Sequence, residues 1–299
     1  LMPVIGYHIR PNKVQAFNWE GGFIPAANKR GYDVIPYDAT DDSVHVDIII
    51  AKLTDEFGHP DDPKAVQIIE NFRKAEARGI PIIDPVDSQE MVSDRVSLNK
   101  KLHDVDFKSD HISVPEYCVI NEESEFESSI ATLEFPVMMK TIVASGSLAA
   151  HEMAIVFNKE QLKRMIKYPS FIQEYKNHNG TIYKVSVIGK YVTAATGSST
   201  RNFNISGNHE PVVFNSQHMK DIIDPESHKS QPDLSQDDIE HIRACLCDHF
   251  GMDLIGFDAI RCADSNRILL IDINFFPSFR TVPDVFEKML DLFDSHLKR

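Results

Sequence analysis

Residues 3–93 alternate between short apolar segments and longer segments in which apolar positions recur at helical spacing. The short segments have the length and β-branched content of strands, and the third is typical of a buried parallel strand. In one helical segment Val66, Ile69 and Phe72 share a face, and Gly79 follows where a helix should end. The predicted strands cover residues 4–7, 32–37, 46–50 and 81–85, and the predicted helices cover 16–30 and 64–78. This alternation predicts a βαβ-type lobe with a parallel sheet.

The pattern changes at about residue 96, where strands begin to follow one another without long helices between them. Two turn signals, Asn179-Gly180 and Gly189-Lys190, each predict a hairpin between the flanking strands. The predicted strands cover 136–140, 153–157, 171–175, 181–188, 254–261 and 268–275. Helices are predicted over 96–102, over 235–250 with Ser235 as its cap, and from about Pro283. Loops are predicted over 144–150 and 196–236, and lobes over 1–95, 96–175 and 176–299.

Composition and charge narrow the classes of ligand and location. The chain has 299 residues, 42% hydrophobic and 25% charged, with a formal net charge of −14. Such a surface repels nucleic acid and anionic membrane, so an anionic ligand needs a local basic pocket. Cys118, Cys245, Cys247 and Cys262 show no zinc-like spacing, and no apolar run is long enough to span a membrane. We therefore expect a cytoplasmic monomer that has neither a nucleic-acid partner nor a membrane partner.

Several motifs for phosphate and acyl chemistry are absent from the sequence. There is no G-x-x-x-x-G-K-[ST] loop, and no G-x-G-x-x-G follows the first predicted strand. The catalytic-loop motifs of protein kinases and the nucleophile elbow are also missing. Phosphate chemistry therefore remains open only to folds that hold a nucleotide by other means.

Polar side chains interrupt the last two predicted strands. Asp272 and Asn274 are two residues apart, so their side chains lie on one face of a strand. Asp258 can face Asp272 if the two strands form an antiparallel pair. Three oxygen ligands with room for water and phosphate suit Mg²⁺. From this pattern alone, polar residues on a solvated strand face are an equally good interpretation.

Four short motifs follow one another along the chain and carry a family resemblance. They are Lys52-Leu53-Thr54-Asp55, His151-Glu152-Met153-Ala154, Gln173 to Lys184 with Asn177-His178-Asn179 inside, and Asp272-Ile273-Asn274-x-Phe276-Pro277. With Asp258 and the strand-borne Lys140, they resemble the ATP-grasp fold and, more specifically, the inositol 1,3,4-trisphosphate 5/6-kinase family. The resemblance runs from Gly6 into the last predicted helix.

This resemblance implies an α/β fold with α+β lobes, in which an N-terminal parallel-sheet lobe stands beside two lobes that clasp ATP. It implies an ATP- and Mg²⁺-dependent kinase that phosphorylates a ring hydroxyl of soluble inositol tris- or tetrakisphosphates. The ATP contacts it implies are Arg95, Lys140, Gln173, Glu174, Tyr175, Lys184, Ser199 and Ser216. The inositol-phosphate contacts are Lys13, Lys52, His151, Lys184, Asn274 and Ser278. Two Mg²⁺ ions are expected on Asp258, Asp272 and Asn274, and catalytic roles on Lys184, His151 and Lys140.

The residues themselves agree with a site for a polyanion. Lys13 follows the first predicted strand and Lys52 follows the third, at the edge where open α/β sheets bind ligands. A single lysine at such an edge is more often solvated, whereas two in a chain of net charge −14 favour a focused site. Lys140 ends an apolar strand, where an unpaired ammonium is costly and a phosphate partner explains it. No residue is an obvious general base, and His151 is the one titratable candidate near the acceptor.

Two departures from the family pattern concern substrate range. Gly197-Ser198-Ser199 stands where the family often has Arg-Pro-Ser, and Arg201 is the nearest replacement for that arginine. Ser278 stands where the family has a glycine. Two alternative functions share part of the pattern. An ATP-grasp carboxylate–amine ligase has the same nucleotide site but no use for Lys13, Lys52 and His151, and a non-catalytic sensor needs no intact metal site.

Overall fold

The chain folds around three β-sheets. The computed structural model describes residues 2–41, 43–142, 151–207, 209–216, 218–223 and 225–298. The N-terminal sheet contains β1 (Val4–His8), β2 (Asp33–Pro36), β3 (Ile48–Ala51) and β4 (Ile82–Ile83). These strands are all parallel in the order β2-β1-β3-β4, which confirms the predicted parallel lobe. Every residue of β3 is buried, as its apolar sequence predicts.

Helices cover the N-terminal sheet. They are α1 (Pro11–Ala16), α2 (Ile24–Arg30), α3 (Thr54–Phe57), α4 (Pro63–Ala77) and α5 (Val86–Ser93). The continuous helix predicted over 16–30 is wrong, because Asn18 adopts a left-handed conformation (φ 52°) and a π-helical turn over Trp19–Phe23 separates α1 from α2. The turn brings the rings of Trp19 and Phe23 into a buried stack with centroids 4.0 Å apart, and this tertiary packing overrides the helical repeat.

The central sheet has the order β12-β8-β7-β9-β6 and is antiparallel. Its strands are β6 (Tyr117–Ile120), β7 (Val137–Thr141), β8 (Glu152–Val156), β9 (Ser170–Glu174) and β12 (Val212–Asn215). Helices α7 (Phe126–Ser129) and α8 (Lys159–Met165) accompany this sheet, whereas α6 (Arg95–His103), which precedes it in the chain, packs Leu98 and Leu102 into the core of the other two sheets. The edge strand β12 lies inside the segment predicted as loop, and its apolar Val212-Val213-Phe214 was the signal for it. The loop predicted over 144–150 lies outside the described residues.

The C-terminal sheet has the order β11-β10-β13-β14-β5. Its strands are β5 (Ile112–Ser113), β10 (Thr181–Ile188), β11 (Tyr191–Ser198), β13 (Leu254–Arg261) and β14 (Ile268–Phe275). Helix α9 (Gln236–Phe250) begins after Ser235, whose side chain accepts a hydrogen bond from the Asp238 N–H, as predicted. Helix α10 (Val285–His296) ends the described fold, and short 3₁₀ turns lie at Glu123–Glu125 and Ser227–Ser230.

One of the two predicted hairpins is wrong. Gly189-Lys190 does join β10 to β11, with Ile188 opposite Tyr191. Asn179 and Gly180 form the expected tight turn, with φ angles of 53° and 62°. However, β9 lies in the central sheet and β10 in the C-terminal sheet, so this turn leads the chain from one sheet to the other.

The N-terminal and C-terminal sheets share one hydrophobic core, whereas the central sheet has its own. Ile5 and Trp19 pack in the same cluster as Phe257 and Phe293. The buried Asp84, just after β4, accepts hydrogen bonds from the N–H groups that open β13. The central sheet is therefore the separately packed part of the fold, and the predicted lobe boundaries remain a prediction. Among the described residues, no helix is long and apolar enough to cross a membrane.

Candidate active site

A cleft of about 670 Å³ lies between the central and C-terminal sheets. Most of the residues predicted to bind ATP, metal or acceptor line it. They are Lys52, Arg95, Lys140, Gln173, Glu174, Tyr175, Lys184, Ser199, Ser216, Asp258, Asp272 and Asn274. Lys13, His151 and Ser278 are not among the lining residues. The fold therefore gathers residues from distant parts of the sequence into one cleft.

The acidic end of the cleft is formed by β13 and β14. Asp258 lies directly opposite Asp272 across the two strands, as predicted, and a register shift follows Asp258. Asn274 lies on the same face of β14, and its Nδ2 donates to Asp272 Oδ2 at 3.3 Å. Burial raises the pKa of Asp258 to about 6, with the nearby Lys184 opposing and Asp272 reinforcing the shift. The Asp272 side chain is exposed to the cleft. The surrounding protein nevertheless removes part of its solvation and raises its pKa as well, whereas Lys140 and Arg95 act in the opposite direction.

The donor set at this end consists of two carboxylates and one amide. Among the described residues there is no cluster of three or more His, Cys, Asp or Glu side chains that could hold a metal ion. All donors of the Asp258, Asp272 and Asn274 set are oxygens, which is the chemistry that Mg²⁺ selects. A set of three protein ligands leaves coordination positions for water and phosphate oxygens. These residues therefore fit Mg²⁺ better than a softer metal.

Two cations face the carboxylates from the other side of the cleft. The Lys140 Nζ, at the end of β7, donates to Gln173 Oε1 at 2.8 Å. The Arg95 guanidinium, at the start of α6, donates to the Thr141 carbonyl. Burial and the neighbouring Arg95 lower the pKa of Lys140 to about 8, and Asp272 partly opposes this. Burial lowers the pKa of Arg95 as well. Partly buried cations whose hydrogen bonds among the described residues go to neutral groups favour an anionic ligand between them.

A third cation lies on the floor of the cleft. Lys184 on β10 is opposite Asp258 on β13, and its Nζ lies 3.8 Å from Asp258 Oδ2. The Lys184 side chain is 64% exposed, so it can reach a ligand while it stays beside the carboxylate.

Lys13 and Lys52 meet at one backbone carbonyl beyond the acidic end. Lys52 Nζ donates to the Phe276 carbonyl at 2.9 Å, and Lys13 Nζ donates to the same carbonyl at 3.0 Å and to that of Pro277 at 2.6 Å. Burial, followed by repulsion from Lys52 and Arg280, lowers the pKa of Lys13 to about 7. Burial and the neighbouring Arg10 lower the pKa of Lys52 to about 8. Strands β1 and β3 lie side by side in the sheet, so the lysines that follow them are close together, as the sequence led us to expect.

The segment between the central and C-terminal sheets has its own hydrogen-bonding pattern. The Glu174 N–H donates to the Glu116 carbonyl and the Tyr175 N–H to the Pro136 carbonyl, both at 2.9 Å. These two groups are therefore engaged within the protein. The Lys176 N–H donates to no other described residue, and Lys176 lines the cleft.

The remaining predicted residues lie at the margin of the cleft. His151 Nδ1 lies 3.2 Å from the Ser216 hydroxyl, and the Ser216 N–H donates to the His151 carbonyl at 2.8 Å. Ser278 is exposed and follows Pro277, which lines the cleft. Arg201 lies outside the lining, with its guanidinium 3.5 Å from the Asp221 carbonyl.

Sequence reasoning missed several residues that the fold brings to the site. Asn99 of α6 lines the cleft, and its Oδ1 accepts a hydrogen bond from Gln173 Nε2 at 3.3 Å. Arg280 adds positive charge beside Lys13. His178 and Thr200 line the cleft and contact Ser199 and Tyr175. The Asn177-His178-Asn179 motif was a signal for His178, whereas the positions of Asn99 and Arg280 depend on tertiary packing alone.

Comparisons with known proteins agree on one family. Residues 106–295 match the inositol 1,3,4-trisphosphate 5/6-kinase ATP-grasp domain. Inositol-tetrakisphosphate 1-kinase of Danio rerio is 31% identical over 98% of this chain and 79% of its own length. Inositol-tetrakisphosphate 1-kinase 1 of Arabidopsis thaliana is 27% identical over 94% of this chain and 91% of its own.

Solved structures agree on the fold. The D-alanine–D-alanine ligase of Bacillus anthracis superposes with a TM-score of 0.60 at 15% identity, over 100% of this chain and 98% of the ligase. A RimK domain ATP-grasp protein of Sphaerobacter thermophilus superposes with a TM-score of 0.59 at 13% identity, over 97% and 98% of the two chains. At such identities the likeness shows the ATP-grasp fold alone.

Proposed function

The chain belongs to the inositol 1,3,4-trisphosphate 5/6-kinase family and is an ATP-dependent inositol phosphate kinase with the ATP-grasp fold, and we propose that it uses Mg²⁺ to phosphorylate a ring hydroxyl of inositol tris- or tetrakisphosphates. One observation carries the finer proposal. The carboxylates Asp258 and Asp272 face the partly buried cations Arg95 and Lys140 across one cleft, and this cleft continues to Lys52.

In this proposal ATP enters with its adenine against the segment that joins the two sheets. The backbone of Gln173, Glu174 and Tyr175 forms the wall of the adenine site. Because the N–H groups of Glu174 and Tyr175 are already engaged, the Lys176 N–H is the donor that remains for a ring nitrogen. The triphosphate then extends towards Lys140 and Arg95, with Lys184 on the opposite side and Ser216 near the cleft margin.

Asp258, Asp272 and Asn274 are the residues that would hold Mg²⁺, and an ion there supplies charge neutralisation for the phosphates of ATP. The protein's own part in phosphoryl transfer is to align the reactants and to stabilise negative charge. Lys140 and Arg95 do this from the central-sheet side, and Lys184 does it from the C-terminal sheet. Donors that are already fixed by Gln173 and Thr141 need little reorganisation when charge develops.

The acceptor is placed between the N-terminal and C-terminal sheets. We assign its phosphate groups to Lys13, Lys52 and Lys184, with His151, Asn274 and Ser278 at the sides of the same site. Lys13 and Lys52 share a carbonyl and repel each other's charge, and Arg280 adds a third cation beside them. A polyanionic acceptor relieves this repulsion, because each phosphate contributes an opposite charge. A strong general base is not required, since the transition state of phosphoryl transfer is loose.

The experiment that tests this proposal measures ATP turnover with Mg²⁺ and inositol, a bisphosphate, a trisphosphate or a tetrakisphosphate as the only acceptor. We expect free inositol to be a very poor substrate and the tris- and tetrakisphosphates to be good ones. Lys52→Ala should raise the Michaelis constant of the acceptor more than that of ATP. Lys74→Ala, at an exposed lysine on α4 that does not line the cleft, is the matched control.

Two results would contradict the proposal. Equal efficiency toward inositol and its trisphosphate would remove the basis for a phosphate-binding acceptor site. Turnover that requires an added amine and a carboxylate would indicate an ATP-grasp ligase instead. The monomeric state and the cytoplasmic location remain predictions from the sequence.

A further inference from the structure

Ser199 lies just past the end of β11, where the cleft approaches the segment that joins the two sheets. Its Oγ lies 2.7 Å from Nε2 of His178, and its N–H donates to the Gly180 carbonyl at 2.7 Å. His178 is 5% exposed and lines the cleft. The other ring nitrogen of His178, Nδ1, lies 2.8 Å from the Lys176 carbonyl. Ser199 is therefore held by both its backbone and its side chain.

The protonation of His178 decides which atoms donate in this chain of hydrogen bonds. A carbonyl oxygen can only accept, so Nδ1 of His178 carries a proton and donates to Lys176. Burial lowers the pKa of His178, so the ring is neutral and Nε2 has only a lone pair. The Ser199 hydroxyl must then donate its single proton to Nε2. Thr200 Oγ1 is more distant from Nε2, at 3.4 Å, and bonds with the Tyr175 hydroxyl at 2.6 Å.

A hydroxyl whose proton is committed offers only lone pairs to a ligand. Ser199 can thus accept a hydrogen bond from the cleft but cannot donate one. Ionised phosphate oxygens are acceptors, so they are unsuitable partners for Ser199 in this state. The hydroxyls of a ribose can donate, so they are suitable.

The position of Ser199 along the strand agrees with its chemistry. Lys184 and Asp258 mark the level of the phosphate-binding cations and the acidic end, and Lys184 pairs with Ala195 on β11. Ser199 lies four residues further along the chain, which corresponds to about 13 Å at the rise of a β-strand. On the side away from Ala195, Ser199 is followed by Thr200, which contacts Tyr175 in the proposed adenine wall. Ser199 therefore lies between the adenine end and the phosphate end.

We propose that Ser199 binds a ribose hydroxyl of ATP as a hydrogen-bond acceptor, and that His178 is the positioning residue that fixes it in this role. The inference rests on the proposed function only in that ATP occupies the cleft. It assigns Ser199 to the sugar of the nucleotide rather than to its phosphates.

The test compares equilibrium dissociation constants of ATP, 2′-deoxy-ATP and 3′-deoxy-ATP in the absence of acceptor. For the wild type we expect one of the two deoxy analogues to bind about 3- to 10-fold more weakly than ATP, the usual effect of one hydrogen bond. Ser199→Ala should raise the dissociation constant of ATP by a similar factor, and this variant should bind ATP and that analogue equally well. Thr193→Ala, on the same strand but outside the cleft lining, should retain the wild-type ratio.

The positioning role of His178 is tested with the same measurement, the ratio of the dissociation constants of the deoxy analogue and ATP. His178→Gln keeps an acceptor within reach of Ser199 and should retain most of the discrimination, whereas His178→Leu should lower it. In the Ser199→Ala background, His178→Leu should change the ratio no further. A purely structural role would lower the affinity for ATP and both analogues together and leave the ratio unchanged.

Several outcomes would overturn the inference. The first is a wild type that binds ATP and both deoxy analogues with equal dissociation constants. The second is a Ser199→Ala variant that keeps the wild-type ratio of these constants. The third is a Ser199→Ala variant that binds all three nucleotides more weakly but binds adenosine as well as the wild type does. The last result would indicate a phosphate contact. A protein that binds none of the nucleotides would contradict both proposals. Nucleotide binding with the expected ratios but no phosphorylation of inositol phosphates would contradict only the proposed function, because these constants do not involve the acceptor.

Discussion

Binding of the acceptor should take up protons from solution, because the lysines that receive it are partly neutral beforehand. The pKa of Lys13 is lowered to about 7 and that of Lys52 to about 8, in both cases first by burial and then by neighbouring cations. A polyanion placed against them favours their charged forms and raises both pKa values. By linkage, affinity for the acceptor is then greatest at low pH and falls as pH rises through the two lowered values.

The size of the effect follows from these pKa values. At pH 8 a lysine with a pKa near 7 is about one tenth protonated, and one with a pKa near 8 is about half protonated. If both become fully protonated in the complex, about 1.4 protons are taken up per acceptor bound. Phosphate groups contribute little at this pH, because their second pKa is near 6. Between pH 7.5 and 9 the dissociation constant of the acceptor should rise on the order of 100-fold.

Titration calorimetry in two buffers of different ionisation enthalpy measures this uptake directly. The measurement uses an inositol trisphosphate at pH 8. Lys13→Arg replaces the amine with a group that stays protonated, so the uptake should fall by about 0.9 proton. Lys52→Arg should lower it by about half a proton, and Lys74→Arg on the exposed face of α4 should leave it unchanged.

Two results would refute this reasoning. Heats that do not depend on the buffer would mean that the two lysines are already charged in the free protein. An uptake that persists in both arginine variants would mean that other groups take up the protons.

Three further predictions follow from individual contacts. Asp272→Ala should lower kcat by about 10³-fold or more while the protein stays folded, and a folded variant with normal turnover would contradict the metal assignment. Lys140→Ala should raise the Michaelis constant for ATP and lower kcat by about 10²- to 10³-fold, whereas an unchanged ATP dependence would make Lys140 structural. Asp84→Asn should lower the unfolding free energy by about 1–3 kcal/mol in urea titrations at pH 7.5, because one of two buried N–H groups loses its acceptor. Since burial raises the pKa of Asp84 to about 7, its contribution to stability falls as pH rises from about 4 to 7, and the variant should lack this dependence.

Local sequence rules predicted many elements closely. The bounds of β10, β13 and β14 and the Ser235 cap are as predicted, because alternation and capping depend on neighbouring residues. The facing of Asp258 and Asp272 was also predictable, since both strands are adjacent in sequence and antiparallel. The helix over 16–30 failed where ring packing of Trp19 and Phe23 opposed the local repeat.

The turn at Asn179-Gly180 shows the limit of such rules. Both residues adopt the left-handed conformation that the sequence predicts. Whether the strands on either side pair with each other depends on which sheet offers each strand a partner. Strand β10 pairs with β11, which follows it directly, and with β13, which comes about 70 residues later, so the local signal at Asn179-Gly180 could not decide the pairing.

The sequence by itself determined the class of chemistry: oxygen ligands spaced on one strand face, lysines at strand ends, and motifs that resemble one kinase family. Only the tertiary structure decided the surroundings in which those groups work. It placed Lys13 and Lys52 on one carbonyl, engaged the N–H groups of Glu174 and Tyr175 with the carbonyls of Glu116 and Pro136, and set the Ser199 hydroxyl against Nε2 of His178. The physical reason is that residue type fixes what a side chain can donate or accept, whereas burial and long-range packing fix its charge and which of its hydrogen bonds remain for a ligand.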